Sequence, residues 1–332
     1  MLLVASSGFW GCSRKGKPAP ERSSTAQEGP SQGAPTQGEV EIEFGNVDFH
    51  VAPGVVIHIR RLRGELVPTR PNAPADFDDR TSFLFRMSSG IVAMEPRDLA
   101  ELMNQYTFAY PGAPLRKIRM TISDGRLRQD GTLRKGIGIP FHIEGVLSAT
   151  PDGLVRLHSD KIRSAHLPVK GLMDLFGVKL AHMVNLNGTR GVRMEGDDIF
   201  LDPSRMIPPP RIEGKVSAAR IENGEVVLVF GTESAEESAH SRSLPLPDPR
   251  ARNYMYFRGS TLRFGKLTMV DADLEIVDMD PSDPFDFDLA QYQRQLVAGY
   301  SKSTAAGGLI TFMPDLHRLT GASSSAPAPA AR

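Results

Sequence analysis

The chain has 332 residues, of which 40% are hydrophobic, and it carries 39 basic and 39 acidic side chains. This balance argues against a nucleic-acid binder, whose affinity depends on the neutralisation of phosphates by an excess of basic residues. No run of 18 apolar residues is present, so the sequence predicts no transmembrane helix. The 31 glycines and 26 prolines are typical of many short strands joined by turns.

The N-terminal region combines an apolar lead with a polar segment that lacks large apolar side chains. Residues 1–12 end at Cys12, the one cysteine of the chain. Residues 13–38 contain no Val, Ile, Leu, Met, Phe, Tyr or Trp, so we expect a disordered tether. This order resembles a bacterial lipoprotein signal, which implies an exported, periplasm-facing protein anchored in a membrane through lipid on Cys12. Phe9 and Trp10 are unusual in such signals, so plain secretion and a cytosolic location remain alternatives.

Composition divides the rest of the chain into a domain, a loop and a tail. Residues 39–320 carry the apolar side chains that a core requires, so we expect a β-rich domain there. Within it, residues 232–253 are polar and rich in proline, which predicts a long surface loop. Residues 321–332 lack large apolar side chains and are expected to be disordered.

Apolar and polar residues alternate along most of the domain, as they do in half-buried strands. Val40, Ile42 and Phe44 begin the pattern. Its phase flips after Gly45-Asn46, where Val47 continues it, and this predicts a bulge or a tight turn. The same period recurs in eight later segments, at 118–122, 137–143, 192–194, 199–201, 226–230, 255–257, 262–264 and 274–276.

Asx-Gly pairs lie beside or between the alternating segments, and each predicts a hairpin turn, because both residues tolerate a positive φ. Five such pairs favour an antiparallel meander over a parallel sheet. They are Asp124-Gly125, Asp130-Gly131, Asp152-Gly153, Asn187-Gly188 and Asn223-Gly224.

Helical periodicity is confined to three segments of three to four turns each: Pro96–Tyr106, Pro168–Ala181 and Asp286–Tyr300. The fold class predicted is therefore mainly β (α+β). We expect a large, highly curved antiparallel sheet or β-groove with two or three helices packed on it, because a flat sheet of that size would leave an apolar face uncovered.

The motifs of common enzymes and cofactor sites are absent from the sequence. A phosphate-loop match begins at Gly11, but Pro18 stands where Ser or Thr must hold magnesium. No HExxH or G-x-S-x-G motif occurs, and the eight histidines show no paired spacing typical of metal ligands. The sequence therefore predicts no enzyme, no cofactor and no metal site.

The stretch DMDPSDPFDFD is the richest acidic cluster and allows two interpretations. Its carboxylates are ligands that calcium prefers, but the run lacks the glycine and the distal glutamate of an EF-hand loop. The preferred interpretation is a strand-to-helix turn whose later aspartates cap a helix that begins near Asp286. The cluster comprises Asp278, Asp280, Asp283, Asp286 and Asp288.

Two stretches of the sequence resemble known families of bacterial envelope proteins. IRMTISDGRLRQDG, VNLNGTRGVRMEGDDIFLDPSRMIPPPRIEG and VSAARIENGEVVLVF, all within residues 117–231, resemble lipid-binding proteins of the LmeA kind, which are related to the tubular lipid-binding (TULIP) fold. LRFGKLTMVDADLEIVD, at residues 262–278, is similar to strand units of AsmA-type proteins. Both resemblances imply an elongated, curved sheet that holds acyl chains in an apolar groove, and neither supplies functional residues.

Two functional hypotheses follow from this sequence. The first is a membrane-tethered envelope protein that binds or carries a lipid or another apolar ligand in a β-lined groove. The groove candidates lie on one alternating strand and one helical stripe, and they are Phe141, Ile143, Leu172, Leu175 and Phe176. The second is a structural or assembly lipoprotein that binds an envelope protein through the exposed edge of its sheet. For the helical stripe, the preferred interpretation is a helix that simply packs on the sheet, and the alternative is a lid over an apolar groove.

Overall fold

The computed structural model describes residues 38–135, 137–164, 189, 191–196, 198–231 and 244–321. Several sequence predictions lie outside these residues. They concern the signal segment with Cys12, the tether up to residue 37, the helix at Pro168–Ala181 with Leu172, Leu175 and Phe176, the Asn187-Gly188 turn, the start of the 232–253 loop, and the tail beyond Gly321.

The described residues form eighteen strands, consistent with the mainly β prediction. In chain order they are β1 (Val40–Ala52), β2 (Val55–Pro68), β3 (Ala75–Asp76), β4 (Phe83–Met94), β5 (Leu115–Ser123), β6 (Arg126–Lys135), β7 (Ile137–Ala149), β8 (Val155–Ser164), β9 (Val192–Glu195), β10 (Asp198–Leu201), β11 (Arg211–Glu213), β12 (Val216–Glu222), β13 (Glu225–Phe230), β14 (Tyr254–Phe264), β15 (Leu267–Asp278), β16 (Phe285–Asp288), β17 (Tyr300–Ser303) and β18 (Leu309–Met313).

The strands build two sheets. The larger sheet has twelve strands in the order β12-β13-β4-β2-β1-β14-β15-β18-β17, with β11 beside β4, β16 beside β1 and β3 beside β14. The smaller sheet has six strands in the order β5-β6-β7-β8-β10-β9 and curls into a half-barrel. Large, curved sheets are thus confirmed, and together the two account for the period-two pattern of the sequence.

Most strand pairs are antiparallel, as the sequence predicts, and the larger sheet adds some parallel pairs. Each pair within the smaller sheet is antiparallel. In the larger sheet, four pairs are parallel: β1 with β16, β3 with β14, β4 with β11 and β15 with β18. In each of these pairs the chain returns after a long connection, which an Asx-Gly signal cannot reveal.

The phase flip at Asn46 lies inside β1, and because the register with β2 is the same on both sides of it, it is neither the bulge nor the tight turn that the sequence predicts. Asn46 has a φ of 52°, a conformation that asparagine tolerates better than most residues. On one side of β1, Gly45 is the last residue paired with β14 and Val47 is the first paired with β16. The flip therefore coincides with the change of neighbouring strand, and it keeps apolar side chains on the core face on both sides of the change.

Three of the predicted turns are present. Asp124-Gly125 joins β5 to β6 and Asn223-Gly224 joins β12 to β13, with positive φ at both residues of each pair. Asp152-Gly153 lies in the connection between β7 and β8.

The turn predicted at Asp130-Gly131 is wrong, because both residues lie within β6. Gly131 is paired with Phe141 of β7. A Cβ atom on Gly131 would lie 2.7 Å from the Phe141 ring. The glycine therefore makes room for a buried ring rather than for a positive φ.

The helices are short. They are α1 (Pro96–Leu102), α2 (Pro203–Met206), α3 (Tyr292–Ala298) and α4 (Leu316–Gly321). Helix α1 continues into a π-helical turn at Met103–Thr107, so the helix predicted at Pro96–Tyr106 is confirmed.

The helix predicted to begin near Asp286 is wrong at its start. Phe285 and Phe287 are buried and alternate with Asp286 and Asp288 in strand β16. Helix α3 begins only at Tyr292. In the turn before it, Asp288 accepts hydrogen bonds from the backbone N–H groups of the second and third residues that follow it. Asp288 therefore stabilises the turn before α3, and the helix has no side-chain cap, so the capping role predicted for the acidic run is wrong.

Aromatic rings fill the core under β14, β16 and α3. The Phe77 ring lies 5.4 Å from Phe257 and 5.0 Å from Phe264. The Tyr292 ring of α3 lies 4.5 Å from Phe264 and 6.2 Å from Phe287. We call these five residues the aromatic cluster. Each pair of this kind adds about 0.5–1.5 kcal/mol to the stabilisation from area burial.

Candidate functional site

An apolar cavity of about 100 Å³ lies between the two sheets. The larger sheet contributes residues of β1, β2, β4, β11 and β13, and the smaller sheet contributes residues of β6, β7, β8 and β10. The lining side chains are Phe44, Phe49, Val51, Ile57, Ile59, Leu62, Phe85, Met87, Val92, Ala93, Met94, Leu99, Leu102, Leu127, Leu147, Val155, Leu201, Pro203, Met206, Ile207, Pro210, Ile212, Val226, Leu228 and Phe230.

The alternation of each strand directs these side chains into the cavity. In β4, Phe85 and Met87 line it, while Arg86 between them is exposed and pairs with Glu39 at 2.8 Å. In β13, Val226, Leu228 and Phe230 line it in the same way. The binary pattern of the strands thus builds the cavity wall directly.

The chemistry of the lining is uniform. Every side chain is a hydrocarbon or a thioether, so the cavity offers no hydrogen-bond partner to a water molecule or a polar ligand. Three of the residues are methionines (Met87, Met94 and Met206), whose unbranched side chains change conformation at little cost. The cavity can therefore adapt its shape to an apolar occupant.

The side chains of the lining differ in exposure. Phe44 and Leu127 are buried. Leu147 of β7, Leu228 of β13 and Ile207 after α2 are only half-buried. Solvent therefore reaches part of the lining.

The groove candidates from the sequence fall in a different place. Phe141 and Ile143 are buried within the curl of the smaller sheet, where they line a space of about 30 Å³. That volume is close to the share of one water molecule. These two residues therefore belong to the packed interior of the half-barrel and not to the larger cavity.

The sequence analysis missed the residues of β4 that line the cavity. The signal was present, because Phe83, Phe85 and Met87 alternate with Leu84 and Arg86 in FLFRM. The pattern is short, however, and it does not indicate that β4 packs against a second sheet.

A second, polar cavity of about 370 Å³ lies on the outer face of the larger sheet. Here the structure brings together histidines that show no paired spacing in the sequence. His50 Nε2 lies 2.5 Å from Asp286 Oδ1, and His317 Nδ1 lies 2.9 Å from Asp286 Oδ2. His58 Nδ1 lies 2.5 Å from Asp48 Oδ1.

These contacts set the charge of the polar cavity. Burial alone would raise the pKa of Asp286, but hydrogen bonds from His50 and His317 outweigh it and lower the pKa to about 2. Burial opposes the charge of His50, yet Asp286 and neighbouring carboxylates raise its pKa above the ordinary value. The described residues that line this cavity include no Ser, Thr, Cys, Lys or Tyr to serve as a nucleophile.

Comparison of the chain with protein-family models, with curated proteins and with solved structures found no match. The resemblance to LmeA-like and AsmA-type proteins therefore stays an expectation from the sequence. In the part of the chain that the structure describes, no helix is long and apolar enough to cross a membrane.

Proposed function

We propose that this chain binds a lipid or another apolar ligand in the cavity between its two sheets. The observation that carries the proposal is a cavity of about 100 Å³ whose lining contains no polar side chain. Cores are normally packed without voids larger than a water molecule, since an unfilled space forfeits dispersion contacts. Retaining such a space is expected of a protein that fills it with a ligand.

The size of the cavity limits what enters it. An engineered cavity of about 150 Å³ with a similar lining stays dry and binds benzene. The present volume therefore suits a small ring or the end of an acyl chain, and movement of Met87, Met94 and Met206 would admit more of the chain. Transfer of each Å² of apolar surface from water would contribute about 25 cal/mol.

The test of this function places a bulky side chain at Leu228, a half-buried position of the cavity lining. Leu228→Trp should obstruct the cavity and lower the affinity for an environment-sensitive naphthylamine dye by about tenfold or more, a loss of about 1.4 kcal/mol. Leu267→Trp is the matched control, because Leu267 is half-exposed in β15 and does not line the cavity. Equal dye binding by both variants and the parent chain would argue against the cavity as the binding site.

The proposed location is the periplasmic side of a membrane, with the domain tethered through Cys12. Such a tether would keep the cavity close to a source of lipid. Its test is the Cys12→Ser variant, which should leave the membrane fraction and appear in the soluble fraction of the cell envelope. A variant that still sediments with membranes would remove the anchor from the proposal.

The alternative function is strand addition by a protein partner at an edge of the larger sheet, where β12 and β17 are the terminal strands. Both edges carry charged residues, Arg220 in β12 and Lys302 in β17, and edge charges of this kind oppose strand addition. This observation favours the apolar ligand. A crosslinking amino acid at position 302 that captured one envelope protein in living cells, with none captured at exposed position 271, would favour the partner instead.

A further inference from the structure

Three aspartates from separate segments of the chain meet beside the polar cavity. Asp278 ends β15, Asp283 lies in the connection to β16, and Asp315 immediately precedes α4. One carboxylate oxygen from each residue lies within 4.8 Å of those from the other two. Asp283 is exposed, whereas Asp278 and Asp315 are 5% and 0% exposed. We call this group the three-aspartate cluster.

The buried members of the cluster differ in how their oxygens are satisfied. Asp315 Oδ1 accepts a hydrogen bond from the Asp286 backbone N–H at 2.8 Å. Asp315 Oδ2 is buried and accepts no hydrogen bond from any described residue. The Arg318 Nε atom lies 3.6 Å away, beyond hydrogen-bond distance. A buried carboxylate oxygen in this state is costly unless a cation completes its environment.

Asp278 is hydrogen-bonded but has no ion pair within the described residues. Its oxygens accept from the Asp280 backbone N–H at 2.8 Å and from Asn253 Nδ2 at 3.1 Å. Asn253 Nδ2 also contacts the backbone carbonyls of Asp280 and Asp283. Three acceptors thus converge on one amide nitrogen that has two hydrogens.

The electrostatics of the cluster contrast with those of Asp286 close by. Two histidines contact Asp286, whereas among the described residues the three-aspartate cluster has one ion-pair partner, the half-exposed Arg318, which also pairs with Asp280. Three carboxylates therefore share one described cationic side chain.

We propose that Asp278, Asp283 and Asp315 bind a divalent cation, with calcium as the preferred ion. All donors are carboxylate oxygens, and no histidine or cysteine belongs to the group, which disfavours zinc. The carbonyls of Asp280 and Asp283 contact the same Asn253 amide nitrogen as Asp278, and calcium takes carbonyl oxygens in flexible geometries, whereas magnesium requires a nearly ideal octahedron.

The proposed ion would join three segments that are separate in sequence. It would connect the end of β15, the connection to β16 and the start of α4, which together form one border of the polar cavity through Asp283. Calcium bound only by the folded chain stabilises it by mass action. The proposal does not depend on the apolar ligand, because it rests on different residues.

The test is a calorimetric titration of the full chain with calcium chloride after treatment with EDTA. We expect one calcium ion per chain and a higher melting temperature with calcium than with EDTA. Magnesium should bind at least about tenfold more weakly than calcium. Asp283→Asn should weaken calcium binding by about tenfold, since affinity depends on the number of charged ligands. Asp283 is exposed, so this variant should retain the fold.

The matched control is Asp271→Asn, an exposed aspartate of β15 whose φ of 55° asparagine also tolerates. It should bind calcium as the parent chain does. The proposal is overturned if the parent chain gives no heat and no melting shift up to about 10 mM calcium, which lies above the affinity range of extracellular calcium modules. Equal weakening in the two variants would overturn it as well.

Discussion

Two neighbouring regions of the same core are packed in different ways. Under β14, β16 and α3, the aromatic cluster fills the interior with rings whose centroids lie within 6.2 Å of a neighbour. Under β2, β4 and β13, mostly aliphatic and methionine side chains, with four phenylalanines among them, leave a cavity of about 100 Å³. Phe44 lies between the regions, because its ring is 5.4 Å from Phe257 and also lines the cavity. Rings in mutual contact fill one region, while the other region retains an unfilled space.

Removing a ring from the filled region should produce the largest loss of stability. Phe257→Ala should lower the free energy of unfolding by about 3–5 kcal/mol, because Phe257 is fully buried and contacts the rings of Phe44 and Phe77. Met87→Ala, in the wall of the existing cavity, should lower the free energy of unfolding by about 2 kcal/mol, the lower end of the range for replacing a buried methionine by alanine. Urea unfolding measures both, and equal losses would contradict the difference in packing.

The filled region also carries a buried carboxylate on its opposite face, under the loop that precedes β14. Glu275 of β15 is 0% exposed and accepts a hydrogen bond from the Asp248 backbone N–H at 2.6 Å. Burial raises its pKa from the ordinary 4.5 to about 7. Between these values the folded chain binds more protons than the unfolded chain, so this group's contribution to stability is lost as the pH rises from about 4.5 to about 7.

Glu275→Gln should remove this pH dependence. The free energy of unfolding of the parent chain should fall by roughly 2–3 kcal/mol more than that of the variant between pH 4.5 and pH 7. Chemical unfolding at a series of pH values measures the difference. If the two chains keep parallel pH profiles, Glu275 ionises in the folded state as it does in water, and the burial argument fails.

Adding one methylene group should change the stability of the protein differently in the two regions, and this difference is the smallest of those predicted. Val47→Ile enlarges a fully buried side chain that does not line the cavity, so it should cost about 1–3 kcal/mol through overpacking. Val92→Ile places the same group in the cavity and should be neutral or stabilising by up to about 0.8 kcal/mol. Melting temperatures of the two variants give the comparison, and a larger loss for Val92→Ile would show that the space cannot accept added atoms.

The sequence predicted most of the local structure, because period-two alternation and Asx-Gly turns act over a few residues. It failed where a distant partner decides the outcome. Gly131 lies in a strand because of the Phe141 ring, and Asp286 lies in a strand because β1 pairs with β16.

The candidate site was beyond the reach of these local patterns. Phe141 and Ile143 have the right pattern for a groove, yet they face the narrow interior of the smaller sheet. The cavity exists because residues such as Phe85 and Leu201 come from two sheets that face each other. The separation between the two sheets is not predictable from the spacing of residues along the chain. The three-aspartate cluster likewise combines a run that the sequence displays with Asp315, which lies outside that run.

The central claim is that the cavity between the sheets holds an apolar ligand, and native mass spectrometry of the full chain tests it most directly. The chain, purified from its native source without denaturation, should carry an added mass that organic solvent extracts as a lipid or another apolar molecule. The Leu228→Trp variant should lack that mass, and Leu267→Trp should retain it. A parent chain that is free of ligand and takes up none from labelled phospholipid vesicles would contradict the claim.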